Sequence, residues 1–262
     1  MKLPKDWDKP DKHNNELCRL FQKGTFPCGS FSLPYRFFSP EGRGSGKKLP
    51  LAVYLHGADA IGTDNELQLS MHDIGTMLAL PSWQERHPCY ILAPQYGPGQ
   101  YWSDDYVKRG LLRLIHALAE RPGTDENRIY IYGYSAGGVG TLRLVKENPG
   151  LFAAALSICG ATNAEGLDEL VKTPLWLVHA ADDEIVKASY HGGESVWAVH
   201  YGSRDIYEAL KDKHEDLRYT EFKKGEMKKI FSVNPHCSWV AVSDRDNDEF
   251  REWLFSRSKS DI

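Results

Sequence analysis

The chain has 262 residues, 41% of them hydrophobic and 26% charged, and a net charge of −4. This is the composition of an ordinary globular protein, long enough for one large α/β domain with a sizeable core. It speaks against nucleic acid or an anionic membrane surface as the main partner, and no apolar run reaches membrane-spanning length. The start, Met1 to Trp7, has no apolar stretch of signal-peptide character, so a cytoplasmic location is expected. Five cysteines (Cys18, Cys28, Cys89, Cys159 and Cys237) form no C-x-x-C pair. They fit reduced thiols, and neither a metal site nor a cofactor is expected.

Residues 1–30 read as an N-terminal arm, polar and proline-punctuated at first, with a short helix at 16–23. Residues 31–262 read as a single domain without a dividing linker. Its first element, 31–39, contains Pro34 and suits an edge strand. The apolar run 50–55 reads as a strand covered on both faces. It leads into the loop His56-Gly57-Ala58, and Thr63-Asp64-Asn65 caps a helix expected to run through about Ala79. A buried strand at 89–93 is ended by Pro94, and a Gly/Pro/aromatic loop follows. A helix then starts at Ser103 or Asp104, with Val107, Leu111, Leu114, Ile115 and Leu118 as its apolar stripe. Further strands fall at 129–132, 153–160, 174–179 and 217–222, with helices at 141–147, 203–213 and 247–257. Alternation of this kind predicts an α/β fold with a mostly parallel sheet and crossover helices.

The most informative stretch is Gly133-Tyr134-Ser135-Ala136-Gly137, a G-x-S-x-G pattern between a buried strand and a helix. Strand, tight turn and helix form the context of a nucleophile elbow. Gly133 and Gly137 have no Cβ to collide with neighbouring backbone, and the Ala136 N–H faces whatever the Ser135 hydroxyl attacks. A second oxyanion donor fits the loop after the early strand, at the Ala58 N–H. Ser135 needs a base and an orienting carboxylate. The strand 174–179 runs into Asp182, Asp183 and Glu184, at the rim where α/β sheets bind ligands, and the three compete for the acid's role. Of the histidines that follow, His236 occupies the turn between the last strand and the terminal helix, where the base belongs.

Together these segments resemble the α/β-hydrolase superfamily. The set is His56-Gly-Ala, Ala93-Pro-Gln95 with Trp102, Gly133-Tyr-Ser-Ala-Gly137, His179-Ala-Ala-Asp-Asp-Glu-Ile-Val186 and His236-Cys-Ser-Trp239. Within the superfamily the chain is similar to esterases of the "predicted peptidase", phospholipase/carboxylesterase and feruloyl esterase group. The resemblance selects Asp183 as the acid, because the family's H-G-x-x-D-x-x-V motif falls on His179, Ala180, Asp183 and Val186. It also implies substrate contacts at Gln95, Trp102 and Trp239, and a small-molecule ester as substrate. Relatives often carry Gly-Glu-Arg where this chain has Asp59-Ala60-Ile61, which implies the loss of a polar contact beside the oxyanion hole. Two readings compete with an esterase: a peptidase of the same fold, and a non-catalytic binding protein on a hydrolase scaffold. The stretch 188–201 reads as an insertion whose aromatics, Trp197 among them, form one wall of the pocket.

Overall fold

The computed structural model describes residues 15–29, 31–40, 46–191, 193 and 199–261. Its strands are β1 (Gln22–Pro27), β2 (Ser32–Phe38), β3 (Leu49–Leu55), β4 (Tyr90–Pro94) and β5 (Thr124–Tyr134). They continue with β6 (Ala154–Ile158), β7 (Ala161–Thr162), β8 (Leu175–Ala180), β9 (Tyr201–Gly202) and β10 (Leu217–Phe222). The helices begin with α1 (Asn15–Cys18), α2 (Leu67–Ser70), α3 (Pro81–Arg86), α4 (Asp105–Ala119) and α5 (Ala136–Glu147). Then come α6 (Ser203–Leu210), α7 (Glu226–Phe231), α8 (Trp239–Val242) and α9 (Glu249–Phe255). Eight strands form one sheet in the order β1-β2-β4-β3-β5-β6-β8-β10. The pairs from β4 through β10 are parallel, and β1 and β2 join antiparallel. The short β7 and β9 pair separately.

Alternation along the central strands builds a core on each face. Ala52 and Tyr54 of β3, Tyr130, Tyr132 and Tyr134 of β5, and Trp176 and Val178 of β8 join one cluster with Trp83, Phe250 and Trp253. Leu51, Val53, Leu55, Ile129, Ile131, Leu175 and Leu177 join the other, under Leu111 of α4, Leu142 of α5 and Ile206 of α6. Because both faces are covered, β3 reads in sequence as an unbroken apolar run.

Three expectations from the sequence are revised. The helix at 16–23 ends at Cys18, because residues 22–27 are drawn into the sheet as β1. With β1 outside it, β2 lies inside the sheet, between β1 and β4, and is not an edge. Pro34 lies just past the end of the β2–β4 ladder, where its carbonyl accepts from Gln95 N–H. The helix expected up to Ala79 breaks after one turn into α2 and two 3₁₀ turns. Asp64 Oδ1 caps α2 through the Glu66 and Leu67 N–H groups, but His72 is extended, so its ring reaches back to Asp59. That tertiary bond wins over the local helical preference.

Candidate functional site

The residues singled out by the sequence converge at the carboxyl end of the parallel strands. Ser135 sits between β5 and α5 with φ 53° and ψ −121°, a conformation that costs a non-glycine residue ~1–3 kcal/mol. The surrounding backbone leaves no alternative. A Cβ on Gly133 would lie 2.6 Å from the Gly137 carbonyl oxygen, and one on Gly137 would lie 2.0 Å from that of Leu55. Two acceptors hold the Ser135 N–H: the Ile158 carbonyl at 2.9 Å and Cys159 Sγ at 3.2 Å.

Ser135 Oγ is 2.9 Å from His236 Nε2, and His236 Nδ1 is 2.7 Å from Asp183 Oδ2. All three side chains are buried. The other oxygen of Asp183 accepts from the N–H groups of Ile185 (2.8 Å) and Val186 (3.1 Å). Burial alone would raise the Asp183 pKa, but the charge and bonds of His236 and His179 hold it well below the usual carboxylate range. Asp182 instead turns away, accepting from Gly225 N–H just ahead of α7.

Beside Ser135 opens a cavity of about 390 Å³. Ile61, Tyr96, Trp102, Val139 and Val186 give it apolar walls, and Ala58 and Ala136 border it near the hydroxyl. The N–H groups of Ala58 and Ala136 begin a 3₁₀ turn and α5, where helical geometry offers no internal acceptor. The 12-residue α5 also turns the positive end of its dipole toward this point.

Comparison with solved structures bears on the fold. A thermostable esterase superimposes with a TM-score of 0.80 and 36% identity, over 93% of this chain and 64% of that one. The chain has the α/β-hydrolase fold. The same fold appears in S-formylglutathione hydrolase from Staphylococcus aureus, with TM-score 0.63, 14% identity, 90% of this chain and 96% of that one. It appears again in an acylaminoacyl peptidase from Pyrococcus horikoshii, with TM-score 0.58, 18% identity, 91% of this chain and 42% of that one. The chain therefore spans just under two thirds of the esterase's length and less than half of the peptidase's. The Prolyl oligopeptidase family model matches residues 105–184, from the start of α4 to just past Asp183. No curated protein sequence matches the chain.

The residues expected to touch substrate fall into three groups. Trp102 lines the cavity, its indole N–H bonded to the His56 carbonyl at 3.0 Å. Gln95 and Trp239 do not line it. Gln95 is buried under the loop, where its amide meets Asn65 N–H, the Ala60 carbonyl and Asp64. Trp239 stands edge-on behind the His236 ring, with centroids 5.5 Å apart. Trp197 lies outside the described residues, as do Gly192 and 194–198. The described parts of 186–201 are anchored: Tyr190 and Val199 pack with Val186, and Asp205 accepts from Tyr190 N–H and Gly202 N–H.

Sequence reasoning missed several groups around the site. Asp59 accepts two bonds, from Tyr134 O–H and His72 Nε2–H, both 2.6 Å. His179 is fully buried beside the acid, with Nε2 2.8 Å from the Val186 carbonyl and 3.3 Å from Asp183 Oδ2. Tyr96, Tyr101 and Val139 complete the cavity. His179 and Val186, both in the H-G-x-x-D-x-x-V acid motif, carried a signal in the sequence. Among the described residues, Cys159, Asp183 and His236 form the group with spacing suited to a metal. Their donors are otherwise engaged: the Cys159 sulfur accepts from Ser135, and burial pushes its thiol pKa well up, away from the thiolate a metal binds. No described helix is long and apolar enough to cross a membrane.

His56 braces the loop as a neutral ring. Its Nδ1–H donates to the Gly57 carbonyl at 2.7 Å and Nε2 accepts from Tyr96 N–H at 3.3 Å. Full burial lowers its pKa from 6.5 to about 4. Between those values the unfolded chain binds the proton and the folded chain does not, so stability falls as pH falls through that window. The loss from this one group at pH 5.0, relative to pH 7.5, is ~2 kcal/mol. Urea unfolding at the two pH values should show a drop in the native protein larger by about this amount than in His56→Gln. Equal drops in the two proteins would contradict it.

Proposed function

We propose that the chain is a serine carboxylic-ester hydrolase acting through an acyl-enzyme intermediate. The observation that carries the reading is the continuous bond from Ser135 Oγ through His236 to Asp183, opening on an apolar cavity. Ser135 attacks the ester carbonyl carbon while His236 Nε2 takes its proton. The tetrahedral oxyanion forms where the Ala58 and Ala136 N–H groups converge, and it is stabilised before any solvent reorganisation is needed. Collapse expels the alcohol, protonated by His236, and leaves the acyl group on Ser135. Water then repeats the sequence and frees the acid. Asp183 stays ionised throughout and keeps the His236 proton on Nδ1.

Among the described residues no charged side chain lines the cavity, which favours a small or carbohydrate-linked ester whose acyl or alcohol part is uncharged. The family match and the acylaminoacyl peptidase neighbour favour a second reading, peptide-bond cleavage by the same chemistry. All five cysteines are free, which suits a reducing compartment such as the cytoplasm. A fluorophosphonate probe should label Ser135 stoichiometrically, and p-nitrophenyl esters should turn over far faster than peptide anilides. An unlabelled Ser135 would leave a non-catalytic binding protein as the better reading, and faster anilide cleavage would make the chain a peptidase.

A further inference from the structure

Asp59 is a second buried carboxylate beside the site, and the mechanism above gives it no step. Its side chain is fully enclosed. Burial works against its charge, yet the bonds and charge of His72 and the Tyr134 hydroxyl hold its pKa below the usual carboxylate value. An enclosed carboxylate persists only where donors satisfy it, and here each oxygen has one.

The identity of those donors is informative. Tyr134 is the residue before Ser135, at the end of β5, and Asp59 is the residue after Ala58. The 2.6 Å bond between them joins two segments 75 positions apart, each contributing one N–H group beside the Ser135 hydroxyl. Gly57 permits the approach, since a Cβ there would lie 2.4 Å from the Tyr134 ring. The second donor extends the link. The His72 ring stands edge-on to Tyr134 (5.5 Å) and lies against Trp239 (5.0 Å), the residue that backs His236.

We infer that Asp59 is a positioning residue, whose carboxylate fixes the loop carrying the Ala58 N–H at the correct separation from Ser135. The inference rests on the proposed role of Ser135, and it adds a device that sets the width of the oxyanion hole. An error of about 1 Å in such a donor costs on the order of a hundredfold in rate. An asparagine can preserve the geometry without charge. Its carbonyl accepts from Tyr134, and its amide donates to His72 once that ring holds its proton on Nδ1.

The test measures kcat per active site, with sites counted by fluorophosphonate labelling taken to completion, on p-nitrophenyl butyrate. In Asp59→Ala, kcat per labelled site should fall about a hundredfold, with KM changed less than about threefold. Affinity for a trifluoromethyl ketone, whose hemiketal mimics the oxyanion, should fall in parallel. Tyr134→Phe, a gentler change should the alanine variant fold poorly, should lose roughly tenfold. Asp59→Asn should stay within about threefold of the native rate. Loss of melting temperature and of labelled fraction, with kcat per labelled site unchanged, would mean a structural role only and overturn the inference. Asn as damaging as Ala would overturn it too, since charge and not position would then be the agent. A native protein that fails to label would remove the underlying reading; a native protein that labels beside unaffected variants removes this inference alone.

Discussion

Ser135→Ala should lower kcat for p-nitrophenyl esters by about 10⁶-fold while the protein still folds, as expected when the nucleophile of a cooperative triad is removed. Alanine occupies the same left-handed backbone as serine with the same strain, and Gly133 and Gly137 still keep the turn open. The change deletes one oxygen, at 2.9 Å from His236 Nε2, and no packing. The melting temperature should therefore move by a few degrees at most, corresponding to ~1 kcal/mol. Residual hydrolysis would come from the oxyanion donors and binding alone. Turnover within tenfold of the native rate in a folded variant would contradict the assignment of Ser135.

Asp183→Asn should cost about 10⁴-fold in kcat, for a reason visible in the acid's surroundings. The N–H groups of Ile185 and Val186 hold one oxygen of Asp183, so an asparagine there must turn its carbonyl to them. Its amide N–H₂ then faces His236 Nδ1 and forces the imidazole proton onto Nε2. That tautomer cannot accept a proton from Ser135. Among the described residues the neighbouring Asp182 accepts from Gly225 N–H, which an amide carbonyl satisfies equally well, so Asp182→Asn should change kcat/KM less than about threefold. Steady-state kinetics on one ester with both variants checks the pair, and equal losses would contradict the assignment of Asp183.

How legible the molecule is in its sequence depends on how local the cause is. The core alternation of β3, β5 and β8 follows from period-two side-chain geometry, and the glycine at 133 follows from steric conflict with Gly137, four residues on. Asp182, Asp183 and Glu184 were indistinguishable by residue type, because all three follow the same strand end. Their difference lies in which backbone amides and rings they meet. Gln95 and Trp239 sit close to the site in space but face away from the cavity, and no pattern in sequence encodes that direction. The Asp59 bonds join positions 13 and 75 residues apart, and the same bonds undid the long helix expected after Asn65. A pairing made by loop geometry leaves no periodic trace.

The bond from Ser135 to His236 closes 101 residues of chain, and that from Asp183 to His236 closes 53. Contacts so distant in sequence form only after intervening loops have paid their closure entropy. On refolding, turnover should accordingly return later than secondary structure, because the triad is complete only once both long-range contacts have closed.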